Sequence, residues 1–198
     1  MKATVKSAFI ILIALLLTAV IPTDTQAKIY EDTLRLHILA ASDKREDQEL
    51  KLYVRDRLLE KYGGMLNKAE SSDDAEELAA SLLEEIKNDV ALWTVEHGRP
   101  QEVSAEIVTE WYDTRDYGEF TLPAGHYRSL RITLNEGCGQ NWWCVMYPPL
   151  CEGLATERAP SDDGVIDYSR DELFLITDGR YNVKFKLLEL FSEAFRKK

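Results

Sequence analysis

The chain has 198 residues, with 35 acidic against 24 basic side chains and a formal net charge of −11. That balance argues against nucleic acid and against anionic lipid head groups as partners, since both need clustered Lys and Arg. The single basic run, Arg196-Lys197-Lys198, reads as the positive end of a closing helix. Three cysteines are too few for a disulfide framework, and the length supplies an ordinary hydrophobic core without one.

Taken in order, the N-terminus carries two lysines and no acid over residues 1–7, an uninterrupted apolar run over 8–21, and a polar stretch ending at Ala27. This is the layout of a secretory signal. The apolar run is shorter than the roughly 20 residues that span a bilayer as a helix, which favours a cleaved signal peptide over residues 1–27. Thr25 stands where a cleavage site usually has a smaller residue, so an uncleaved anchor is the alternative. Membrane contact is expected only through that segment if it stays uncleaved. Residues 28–198 form the exported part.

Residues 34–40 alternate, with Leu34, Leu36, Ile38 and Ala40 on one side and Arg35 and His37 on the other, as in a half-buried strand. Ser42-Asp43 offers an N-cap, and Leu50, Val54 and Leu58 at a spacing of four predict a helix over 46–62 that Gly63-Gly64 stops. A second helix starts at a Ser72 cap with Asp73 and Asp74 in its first turn. Its stripe of Leu78, Leu82, Ile86 and Val90 runs to Trp93, and residues 98–100 close it.

From Glu102 the period changes to two. Val103, Ala105, Ile107, Thr109 and Trp111 face one way, while Glu102, Ser104, Glu106 and Glu110 form a wet face. Further strands are predicted over 117–122 and 127–134. Residues 142–147 are apolar on both faces, which suits a central or covered strand. A loop over 160–164 precedes Val183, Leu187, Phe191 and Phe195, the stripe of a closing helix. Helices and strands are segregated, so the expected class is α+β, a single domain with an antiparallel sheet packed against helices.

The chemistry-bearing stretch is GCGQNWWCVMYPPLC, residues 137–151, which holds all three cysteines. Gly137-Cys138-Gly139 does not open a helix after a strand and is no nucleotide loop. The cysteine spacings, with five and six intervening residues, exceed those that let neighbouring ligands share one zinc ion. A cysteine nucleophile needs a nearby imidazole, and the chain has only His37, His97 and His126. An exported thiol- or carboxylate-dependent hydrolase of the cell envelope, built on Cys144, His37 or His126, is the runner-up reading. In an exported protein the leading reading is a staple. A hairpin turning at Pro148-Pro149 sets Cys144 opposite Cys151 at a Cα separation of roughly 4.5 to 5.5 Å, which a disulfide accepts. Pairing of Cys138 with Cys144 across a Gly139-Gln140 turn is the competing arrangement. Trp142 and Trp143 fall on opposite faces of one strand, so one enters the core and the other needs a cover: a helix, or a protein partner that also meets Pro148 and Pro149.

Several segments together resemble the stage II sporulation protein R family. They are residues 34–40 with Ser42-Asp43; Asp47-Gln48, Leu50-Lys51 and Val54-Arg55-Asp56; Leu122-Pro123-Ala124-Gly125 with Tyr127 and Leu130-Arg131-Ile132; Asn141-Trp142-Trp143-Cys144-Val145 with Pro148-Pro149-Leu150-Cys151; and Val183-Lys184-Phe185-Lys186. The resemblance implies an exported signalling protein of endospore formation, secreted from the forespore into the space between forespore and mother cell. There such proteins trigger a membrane-embedded aspartic protease to process pro-sigma-E. It further implies no enzyme activity, no cofactor or metal, and no small-molecule substrate. Cys144 and Cys151 match the family's usual cysteines, whereas Cys138 occupies a variable position. Asn141, Trp142, Trp143, Pro148, Pro149, Arg35 and His37 are the candidate partner-binding residues.

Overall fold

A computed structural model of the protein describes Lys6 and residues 24–117 and 121–148. The elements are helix α1 (Asp24–Glu31), strand β1 (Leu34–Leu39), helices α2 (Arg45–Leu58), α3 (Ser72–Ser81) and α4 (Leu83–Glu96), and strands β2 (Val103–Tyr112), β3 (Arg115–Asp116), β4 (Thr121–Leu122), β5 (Gly125–Leu134) and β6 (Asn141–Tyr147). The class is α+β. Two compact units share these elements. The larger holds Tyr30–Glu110 and residues 127–148, and the smaller holds residues 24–29 with Trp111–His126. The expected closing helix, the 160–164 loop and the N-terminal signal lie outside the described residues.

In the larger unit four strands are ordered β2-β5-β1-β6. The sheet is mixed, not purely antiparallel as expected: β1 runs parallel to β5, with Leu36 beside Leu130 and Ile38 beside Ile132, and antiparallel to β6. Local alternation reports which face a residue takes but carries no information about strand direction, which the long connection from β1 through the helices and β2, β3 and β4 to β5 sets. Strand β6, expected to be central or covered, is the second of these: among the described residues it lies at the edge of the sheet, and Cys144, Val145, Met146 and Tyr147 are all buried.

One face of this sheet presents Leu34, Leu36, Ile38, Leu130, Ile132 and Leu134, all fully buried. The helices pack on that side. Arg55 of α2 sets its guanidinium 4.4 Å from the centre of the Trp142 ring. Arg128 of β5 ties the sheet to the start of α3 by donating to Ser72 Oγ at 2.7 Å and Glu76 Oε2 at 2.7 Å, and it also reaches the Glu31 carbonyl.

The helix boundaries differ from expectation in four places. The cap position of α2 is Lys44, with no side-chain capping bond, not Ser42-Asp43. Gly63-Gly64 does not end α2, because both residues adopt right-handed helical angles and the chain continues through a π-helical turn, Leu59–Gly63, into one more turn at Gly64–Leu66. Two glycines cost about 2 kcal/mol of helix propensity, which burial of Tyr62 and Leu66 offsets. The hydroxyl of Tyr62 and the ammonium of Lys61 both donate to Asp89 of α4, fixing that turn. Capping at the next helix falls one residue earlier than predicted: Ser71 Oγ accepts from Asp74 N at 3.1 Å. The predicted single helix over 72–93 is two, broken at Leu82, where Ser81 Oγ donates back to the Leu78 carbonyl at 2.7 Å, a bond that bends helices. The stop at Gly98 is as predicted. Gly98 has φ +76° and donates to Val95 O while Arg99 donates to Thr94 O, the paired bonds of a Schellman motif.

In the smaller unit the strand expected over 117–122 is a short antiparallel pair, with Arg115 opposite Leu122 and Asp116 opposite Thr121. Tyr117 lies beyond the first of these strands, and residues 118–120 lie outside the described residues. Trp111 meets the His126 ring edge-on at 5.3 Å and donates from Nε1 to Asp113 Oδ1 at 3.1 Å.

Candidate functional site

The sheet face opposite the helices carries a row of polar side chains, and the register explains how it assembles. His37 is paired with Arg131 on one side and with Trp143 on the other, so three neighbouring strands each contribute one residue to a single line across the sheet. Residues Glu106 and Glu110 of β2 complete it, four apart and therefore on one face. His37 Nδ1 lies 2.7 Å from Glu110 Oε1. Arg131 donates to Glu110 Oε2 at 3.4 Å and, through Nε and a terminal nitrogen, to Glu106 Oε1 at 3.2 and 2.8 Å. The Trp143 ring lies 5.7 Å from the His37 ring, tilted by 40°. Side-chain exposure rises along the row from 8% at His37 through 18% at Glu110 and 31% at Arg131 to 47% at Glu106. The hydrogen bonds that Arg131 donates to Glu106 hold its guanidinium above the ordinary pKa.

Each residue singled out in the sequence can now be placed. Arg35 and His37 were expected on a wet face, but both are buried. β1 is an interior strand with a neighbour on either edge, and alternation separates its two faces without making the second one wet. The Arg35 guanidinium stands 5.0 Å from the centre of the Tyr127 ring. Trp142 and Trp143 do take opposite faces, and both are half-buried, Trp142 beneath Arg55 and Trp143 beside His37. Asn141 is half-buried and opens β6, and Pro148 is buried just after it. Pro149 and Cys151 lie outside the described residues.

Cys144 is disulfide-bonded and buried, whereas Cys138 is a free, exposed thiol. Cys144 pairs with Leu36 in the ladder, so it shares the helix-side face and points away from His37. A thiol–imidazole couple between those two is therefore not assembled. Among the described residues no group of three or more His, Cys, Asp or Glu could hold a metal ion.

A second polar cluster, which sequence reasoning reduced to an N-cap, surrounds the loop after β1. Ser42 Oγ bonds Asp47 Oδ2 at 2.5 Å, and Arg99 donates to Asp47 Oδ1 at 2.6 Å. The Ser42 hydroxyl and Arg99 hold the Asp47 carboxyl below the usual range against the opposing effect of burial. Gln48 Nε2 donates to the Ser42 carbonyl at 2.9 Å, and Lys51 Nζ joins Gln48 Oε1 at 2.6 Å to the Gln140 carbonyl at 2.9 Å. Burial lowers the pKa of Lys51. Gly139 donates to Ala40 O at 2.9 Å and Gln140 donates from its backbone to Asp43 Oδ1 at 2.7 Å. The approach at Gly139 is so close that a Cβ there would stand 2.3 Å from the Ser42 carbonyl oxygen. The signal available in the sequence was the glycine pair flanking Cys138, which marks close backbone contact as readily as a flexible loop.

The profile of the family described as stage II sporulation protein R matches residues 30–156. Among characterised proteins, stage II sporulation protein R of Bacillus subtilis (strain 168) is 38% identical over 122 residues, covering 61% of this chain and 54% of that protein. The chain thus spans about half the length of the curated relative it matches. No solved structure matches it. The matched region contains the whole polar row and the whole loop cluster.

Proposed function

Because the chain belongs to the stage II sporulation protein R family and so has a sporulation-related role, we propose that it is the exported signal of endospore formation. In this reading it leaves the forespore, enters the space between forespore and mother cell, and there binds a membrane-embedded aspartic protease that then processes pro-sigma-E. The observation that carries the reading is the family match over residues 30–156, which takes in the sheet and its helices. The signal-like residues 1–27 support export, and the acidic net charge suits a soluble ligand better than a binder of membranes or nucleic acid. The site adds a physical route: β6 starts with Asn141-Trp142-Trp143, anchored below by Arg55 and Lys51, and so offers a partner a rigid aromatic edge. Catalysis by the chain itself is not required.

The decisive experiment is reconstitution in a bacterial host that does not form spores, carrying the protease and pro-sigma-E. Exported wild-type chain should raise processing well above the level seen without it. No rise would end the proposal. If the chain were instead an envelope hydrolase, Glu110→Gln and His37→Gln would abolish release of cell-wall fragments by the purified, folded protein.

A further inference from the structure

Among the described residues β2 is an edge of the four-stranded sheet. It runs for 10 residues, Val103–Tyr112, about twice the usual strand, with no Pro, Gly or Lys to blunt it. Asn135 N donates to the Glu102 carbonyl at 2.8 Å, and Glu102 N donates to Asn135 Oδ1 at 2.9 Å, so both backbone groups of Glu102 turn towards β5. Arg131 meets Glu106, which means that the two strands run in opposite directions from that point. Backbone groups alternate along such a pair. Ser104, Glu106, Val108 and Glu110 therefore bond inward, while Ala105, Ile107 and Thr109 present N–H and C=O outward, where among the described residues no strand meets them. Ala105, Ile107 and Val108 are half-buried and give this edge an apolar middle.

We propose that this edge pairs with the same edge of a second copy of the chain, joining the two sheets about a two-fold axis through Ile107. An axis normal to a continuous sheet keeps every side chain on its own face, so the register must centre on a residue. Centring on Ile107 sets it against its own copy, Ala105 against Thr109, Glu106 against Val108 and Glu110 against Ser104. The outward groups of Ala105, Ile107 and Thr109 then bond in reciprocal pairs. Centring on Val108 would oppose Glu106 to Glu110, and centring on Glu106 would oppose that carboxylate to its copy. Like charges directly opposite one another are destabilising, and centres further out pair fewer residues. The strand thus has one long register in which each acid meets an uncharged residue, and a second copy supplies it. This pairing does not depend on the signalling reading above.

The test uses the full-length chain carrying Cys138→Ser, so that dimers cannot arise through the free thiol. Sedimentation equilibrium should show the mass doubling with a dissociation constant of roughly 10 μM or tighter. Ile107→Pro removes the outward donor at the axis without touching a bond to β5. It should weaken the dimer about tenfold or more, with the circular dichroism of the fold unchanged. Ile107→Cys brings two thiols to a Cα separation of roughly 5.5 Å and should cross-link under mild oxidation. Thr109→Cys leaves them about 14 Å apart and should not. A chain that stays monomeric at about 100 μM overturns the inference. So does a dimer that a folded Ile107→Pro leaves intact, or cross-linking through Thr109→Cys as complete as through Ile107→Cys. Should Ile107→Pro fail to fold, the two cysteine variants decide alone.

Discussion

Two polar regions adjoin the same strand, and they use charge in opposite ways. Beyond the end of β1, the loop cluster of Ser42, Asp47, Gln48 and Lys51 bonds to itself and, through Gln48 and Lys51, to the backbone carbonyls of Ser42 and Gln140, with Asp47 and Lys51 buried. Along the middle of β1, the row from His37 to Glu106 bonds side chain to side chain and opens progressively to solvent. Buried groups tied to backbone cannot be removed without leaving an unsatisfied partner, whereas an exposed carboxylate at the end of a row can be changed at little cost to the fold. The first region is built to hold a loop. The second opens one of its ends to solvent.

The largest effect should come from the backbone contact in the first region. Gly139→Ala puts a Cβ against the Ser42 carbonyl, where neither backbone can yield without breaking the Gly139–Ala40 bond. A loss of about 3 kcal/mol is expected in urea unfolding. If the variant is as stable as wild type, the loop cluster is not a lock and the comparison fails on that side.

Next is the disulfide at Cys144 of β6, level with Leu36 of β1. Cys144→Ala should cost about 2.5 kcal/mol under oxidising conditions and nothing under reducing ones. Proteolysis without reductant should release a peptide joining Cys144 to Cys151. A peptide joining Cys138 to Cys144 would instead establish the competing pair.

Asp47→Asn keeps the shape and removes the charge, at an expected cost of about 2 kcal/mol at neutral pH. Here the sign of the pH dependence is a sharper measure than the size. The Asp47 carboxyl is held below its ordinary value by Ser42 and Arg99, so its stabilisation is complete above the unfolded value of about 4 and is lost as pH falls through the lower folded value. The gap between wild type and Asp47→Asn should therefore close in acid. A gap that is constant from neutral pH to pH of about 3 would show that charge is not what the cluster uses.

The sequence made the two regions unequally visible. Period two located β1 and β5, and a run apolar on both faces located β6, each within one or two residues, and Gly98 marked the end of α4 correctly. Alternation also put Arg35 and His37 on one face and Glu106 and Glu110 on one face, which is the raw material of the row. What it could not supply was the neighbour. His37 and Glu110 are 73 residues apart, and only the parallel insertion of β1 between β5 and β6 brings them together. For the same reason a face expected to be wet is partly buried. The loop cluster was harder still, since Gly139 against Ser42 is a backbone contact that no side-chain pattern records. The break at Leu82 escaped because a continuous apolar stripe outweighed a single Ser81 back-bond.

The smallest expected change in stability is the most informative about function. Glu106→Gln keeps an acceptor for Arg131, and its side chain is 47% exposed, so the unfolding free energy should move by no more than about 0.5 kcal/mol. Charge is all that it removes from the outer end of the row. Processing of pro-sigma-E in the reconstituted host should nonetheless fall, and the loss should shrink as salt is raised, because an exposed ion pair is what salt screens. A variant that loses both stability and signalling would place Glu106 with the loop cluster, as a structural residue. One that loses neither would show that the charge at the outer end of the row is dispensable. Loss of signalling with stability intact is the outcome that separates the two regions.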